Sequence, residues 1–133
     1  MRQPGWEGRL TEAFNAAENL PFFWSKNDCV TFSASVVKAM TGVDLYESWY
    51  EYRNEEEALA IIGDLKTYPD NYFARVPPSF AQRGDLVWFP DNTNAFGGSL
   101  GAVAPGGARA ASPGCDRLAY VPVLSCEHAW RVE

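Results

Sequence analysis

The sequence predicts an α+β domain: helices in the first half and a small antiparallel sheet in the second. Two observations carry this. Apolar residues recur at three- and four-residue steps up to about position 62, after which the pattern changes to short apolar runs bounded by Gly and Pro. The two patterns are segregated rather than alternating, which excludes a doubly wound α/β sheet. With 133 residues, no internal repeat and no linker-like stretch, residues 1–133 read as a single domain.

The first helix is signalled by Trp6, Leu10, Ala13, Phe14 and Ala17, which fall on one face. Pro21 stops it and opens the bulky connection Pro21-Phe22-Phe23-Trp24. A second helix is expected from Asn27, read as its N-cap, with Cys29, Phe32, Val36 and Met40 buried and Gly42 at its end. A third follows from Asn54 with Glu57 three residues later, a capping-box spacing, and stops at Gly63. The stretch 64–82, punctuated by Pro69, Pro77 and Pro78, reads as irregular. Strands are expected over 85–89 and 100–104, then a Pro105-Gly106-Gly107 turn and a returning arm over 108–112. One or two more short strands are expected within 118–124 and 129–132.

Composition narrows the function classes. The chain is 47% hydrophobic and rich in aromatic residues, enough to bury a core without disulfides or metal. Its formal charge of −6 and the lack of any Lys/Arg cluster argue against nucleic-acid binding. No apolar run has the length of a membrane span or the character of a signal-peptide core, so synthesis in a cytoplasm is expected. Cys29, Cys115 and Cys126 include no CxxC pair and read as free thiols, two of them as small apolar fillers, with a Cys115–Cys126 disulfide as the alternative that a reducing compartment disfavours. With a single histidine, neither a metal site nor a cofactor is expected.

The segment Asn27-Asp28-Cys29-Val30-Thr31-Phe32 places a cysteine in the first turn of an amphipathic helix. There the unpaired amides and the helix dipole favour thiolate, the reactive species; the alternative is a small apolar side chain on a core-facing stripe. Asp28-Cys29 at a helix start, followed by Arg83-Gly84-Asp85-Leu86-Val87-Trp88-Phe89, resembles the two main signatures of the NlpC-like, papain-like cell-wall cysteine peptidases. With Pro21-Phe22-Phe23-Trp24 and Ala129-Trp130-Arg131-Val132, the likeness is closest to small NlpC-like proteins of phage tail modules. The resemblance implies a papain-like fold in which N-terminal helices pack on a small antiparallel sheet, with Cys29 as candidate nucleophile.

The resemblance also implies a catalytic histidine opening the strand after Gly-Asp-Leu-Val. Ser99, in Ser99-Leu100-Gly101-Ala102-Val103, stands at that place, and a serine hydroxyl does not accept a thiol proton as imidazole does. The orienting residue would come from the next strand, where Ser112 is the small polar candidate; Arg109 offers charge but no proton shuttle. His128 is the one imidazole and a weak alternative base, otherwise a residue near the last strand. Glu55-Glu56-Glu57 reads as a solvated first helical turn, and Asp85 as a structural acid tying down nearby amides. The five tryptophans and the Phe22-Phe23-Trp24 cluster read as core in preference to a sugar-stacking surface. The expectation is a virion tail or tail-tip component, made in the host cytoplasm, with a degenerate site. Its partners would be other tail proteins and the peptidoglycan wall. The alternative is an active tail-associated endopeptidase cleaving stem peptides through Cys29.

Overall fold

The computed structural model describes residues 1–46 and 51–133, and in it the helices precede the sheet as the sequence predicts. Helix α1 (Trp6–Ala17) buries Leu10, Phe14 and Ala17. Helix α2 (Cys29–Thr41) buries Phe32, Val36 and Met40 among others and ends at Gly42, whose left-handed φ of 81° lets its amide reach the Lys38 carbonyl. The two helices pack on each other, with the Phe14 and Phe32 rings edge to face at 5.3 Å and Arg9 Nε donating to the Ala39 carbonyl at 2.6 Å. Helix α3 (Glu55–Ile62) is capped by the Asn54 side chain, which accepts from the Glu57 amide at 2.8 Å. Of its residues only Ala58 is buried, so this helix is a peripheral element.

The sheet has six strands, all antiparallel, in the order β1-β6-β2-β3-β4-β5. These are β1 (Arg75–Val76), β2 (Leu86–Pro90), β3 (Gly98–Val103), β4 (Arg109–Pro113), β5 (Leu118–Pro122) and β6 (His128–Trp130). Strands β2 to β5 form a meander, and β6 returns to the other side of β2. Period-two alternation gives the sheet two faces. Leu86, Trp88, Leu100, Ala102, Ala111 and Trp130 join the core beneath α1 and α2. Val87, Val103, Ala110 and Ala129 belong to a second cluster on the outer face, with Val123 and Cys126. Gly84 permits the approach of α2 to the sheet: a Cβ there would lie 2.4 Å from the Met40 sulfur.

Asp85 closes the domain. It is fully buried; its carboxylate accepts from Arg2 Nη2 at 2.9 Å, Arg131 Nε at 3.0 Å, and the amides of Gln82 and Val132 at 2.8 and 3.0 Å. Both ends of the described chain are thereby tied to the start of β2, the structural role read from its sequence context. The tryptophans divide. Trp88 and Trp130 are fully buried, Trp6 lies under Arg2 at 4.3 Å, Trp24 is half-buried, and Trp49 falls outside the described residues. Among the described residues, no helix is long and apolar enough to cross a membrane.

Candidate functional site

Cys29 is the first residue of α2, and Asp28 is its N-cap. Asp28 Oδ1 accepts from the amides of Val30 and Thr31 at 2.9 and 2.8 Å; Oδ2 accepts from the Ser25 amide at 2.8 Å and the Tyr52 hydroxyl at 2.7 Å. The Asp28 amide donates back to Thr31 Oγ1 at 2.9 Å, completing a capping box. The expected cap, Asn27, instead donates its side-chain amide to the Pro21 carbonyl at 3.0 Å and braces the preceding turn. The cap falls one residue later because Asp28 has the Thr three positions on that completes the box.

This cap changes the chemistry expected of Cys29. The helix-start amides that would favour a thiolate point at the Asp28 carboxylate, so the positive end of the helix is already answered by a full negative charge. Burial, and then the neighbouring Asp28 charge, push the Cys29 thiol up to about 12, and the main-chain amides of Leu100, Cys29 and Val30 only partly oppose this. The helix start favours a thiolate, but burial first and the Asp28 carboxylate second outweigh it, in keeping with the alternative reading of Cys29 as a small apolar side chain. Tyr52 is also held firmly in its neutral form, first by burial and then by Asp28.

Cys29 lines a cleft of about 200 Å³ with Phe22, Trp24, Asp91, Phe96 and Ser99. Phe22 and Trp24 also line an adjoining cavity of about 350 Å³ that runs to Tyr52 and Arg53. Among the described residues, Glu55 and Asp91 bring carboxylates to the Cys29 cleft, and Asp91 is held below its ordinary value by hydrogen bonds from Thr93. A carboxylate held that low is poorly matched to a thiol pushed up to about 12.

The other residues singled out from the sequence are dispersed. Ser99 borders the cleft, but it pairs with Phe89 and so shares the outer face of the sheet; Leu100, its neighbour, faces the helices. Ser112 alternates with Ala111 and lies on the outer face too, so Ser99 borders both the Cys29 cleft and a second cavity shared with Ser112, which does not line the cleft. Arg109 lies over the Tyr120 ring at 4.5 Å. His128 opens β6 opposite Trp88, two strands from β3, a lateral separation of about 10 Å. Its Nε2 is 3.1 Å from Glu127 Oε1 and its Nδ1 is 3.3 Å from Arg75 Nη1, within a surface network that includes Lys66 and Asp70.

All three cysteines are free thiols. Cys126 is buried in the outer cluster, as a small apolar filler would be, whereas Cys115 is exposed in the turn between β4 and β5. Sequence reasoning missed Tyr52 and the capping role of Asp28; the Asp-x-x-Thr spacing of Asp28 and Thr31 was the available signal. Comparison with curated proteins gives no match. The model of a domain family of unknown function (DUF6950) matches residues 1–132, almost the entire chain, and the protein belongs to that family.

Proposed function

We propose that this protein is a tail or tail-tip component of a phage particle, with an NlpC-like, papain-like fold that binds without hydrolysing. One observation carries the loss of hydrolysis. The thiol at the helix start is pushed to about 12, and the imidazole that would have to activate it lies on β6, within hydrogen-bond distance of Glu127 and Arg75. The peptidase-like ancestry is supported by a cysteine at a helix start beside the sheet strand that follows Gly84-Asp85-Leu86-Val87. The tail setting rests on the likeness of Pro21-Phe22-Phe23-Trp24 and Ala129-Trp130-Arg131-Val132 to the tail-module proteins. The cleft keeps aromatic walls at Phe22 and Trp24, suited to contact with a wall peptide or a neighbouring tail protein.

Two measurements test this reading. Purified full-length protein is incubated with peptidoglycan sacculi, and released peptides are followed by mass spectrometry beside Cys29→Ala. The expected result is no product above that control; Cys29-dependent release would establish the endopeptidase instead. Proteomics of particles from the source strain should find the chain in purified virions, and its absence there would overturn the tail assignment.

A further inference from the structure

The Cys29 cleft carries negative charge that its own lining does not answer. Glu55, the first residue of α3, and Asp91, just after β2, both border it, and among the described residues no Lys or Arg does. The cations of the adjoining cavity are engaged elsewhere: Lys26 Nζ pairs with Glu51 at 2.8 Å and Arg53 Nε with Glu57 at 3.3 Å. Asp91 accepts from the Thr93 amide and hydroxyl at 2.9 and 2.6 Å, both at Oδ1, so its Oδ2 carries no hydrogen bond among the described residues. The Glu55 carboxylate likewise has neither an ion pair nor a hydrogen bond among them. The loop after β2 is set in advance: Asn94 Oδ1 accepts from the amides of Phe96 and Gly98 at 3.0 and 3.2 Å, and the Asp91 amide donates to the Gly97 carbonyl at 3.0 Å. Asp91 and Phe96 therefore need little ordering to meet a ligand.

The apolar walls supply the other half of the recognition. Phe22 and Trp24 stand at right angles, their ring centroids 4.8 Å apart, and Phe96 lines the same cleft. Aromatic rings attract cations and cover the alkyl stems that carry them. At about 200 Å³ the cleft is smaller than a site for a drug-sized ligand, about 300–1,000 Å³, so it suits a head group on a short stem. Among the described residues no three His, Cys, Asp or Glu side chains are arranged to hold a metal ion, which leaves an organic cation as the complement of this charge. We propose that the Cys29 cleft is a binding site for an alkylammonium group, its N–H groups donating to Glu55 and Asp91 and its stem lying against Phe22, Trp24 and Phe96. This goes beyond the tail reading and does not rest on it: hydrolysis and virion residence are tested separately, and neither result changes the lining of the cleft.

The test is a proton–nitrogen NMR titration of the full-length protein, at low ionic strength, with n-butylammonium, tetramethylammonium and uncharged n-butanol. n-Butylammonium is expected to bind saturably in the millimolar range, with the largest shifts at the Trp24 indole and at the amides of Phe96 and Gly98. Tetramethylammonium, which has no N–H to donate, should bind more weakly, and n-butanol more weakly still. Glu55→Gln and Asp91→Asn should each weaken n-butylammonium about three- to fivefold, the scale of an exposed ion pair; Asp91→Asn keeps an oxygen for Thr93. Glu56→Gln removes the same charge from a neighbouring side chain outside the cleft and should leave the affinity unchanged. The spectrum of each variant reports directly that it is folded. Any of four results would overturn the proposal. These are no saturable shift at the cleft, n-butanol or tetramethylammonium binding as tightly as n-butylammonium, full affinity in both Glu55→Gln and Asp91→Asn, or an equal loss in Glu56→Gln, which would mean attraction to an acidic surface only.

Discussion

Asp28 and Asp85 are both buried carboxylates, yet their surroundings assign them opposite effects. Asp85 is balanced by two guanidinium groups, Arg2 and Arg131, and its charge acts as a clamp between the beginning and end of the described chain. Among the described residues Asp28 is satisfied by neutral donors: three amides and the hydroxyls of Tyr52 and Thr31. No cation among the described residues pairs with it, and its charge remains to act on the next residue, Cys29. Hydrogen-bond satisfaction and charge compensation are therefore distinct requirements. The first is enough to bury a carboxylate at a helix cap; only the second silences it electrostatically.

The difference can be broken from either side. Asp85→Ala should show the largest effect, about 3–5 kcal/mol of lost stability in urea unfolding, because both arginines and two amides lose their acceptor. A loss below about 1 kcal/mol would show that the clamp is not a stabilising element. Asp28→Ala should cost about 2 kcal/mol as the cap is lost. It should also lower the Cys29 pKa, since the carboxylate is one of the two causes raising it. An unchanged thiol titration in that variant would contradict the charge argument. Tyr52→Phe removes one hydrogen bond to a charged group and should cost about 1.5 kcal/mol, with the cap itself preserved.

A smaller effect follows from linkage. The folded-state pKa of Cys29, about 12, exceeds the ordinary thiol value of 9.0, so between these values the folded state holds the proton more tightly than the unfolded chain. This contribution to stability is complete below pH 9.0 and is lost as pH rises through 12. Raising the pH from 8 to 10 should therefore reduce wild-type stability by about 1.4 kcal/mol more than that of Cys29→Ala, measured by paired denaturant unfolding. Parallel curves for the two proteins would place the thiol near its ordinary value.

Much of the fold was legible because local signals and burial agree. Trp6, Leu10, Phe14 and Ala17 predict α1, and the left-handed Gly42 predicts where α2 stops. The runs around Leu86, Leu100 and Ala110 predict β2 to β4 to within a residue or two. The two-residue strand β1 was not legible, since Arg75 and Val76 are extended only because β6 pairs with them. The candidate site was legible as a cysteine at a helix start and illegible in its electrostatics. Helix position left a thiolate and a small buried thiol both open; only the structure shows that Cys29 is desolvated and that the Asp28 carboxylate already engages the amides of Val30 and Thr31. Face was hidden too. Ser99 and Ser112 can be placed on strands from sequence, but the side to which each points depends on the registers of β3 and β4.

The central claim is that Cys29 is not activated by a base. The most direct measurement is its alkylation rate across pH, resolved from Cys115 and Cys126 by mass spectrometry, in wild type and in His128→Ala. A thiol that titrates above the ordinary value of 9.0, identically in both proteins, is the predicted result. A pKa depressed below that value in wild type and restored in His128→Ala would contradict the account and establish a thiol–imidazole pair.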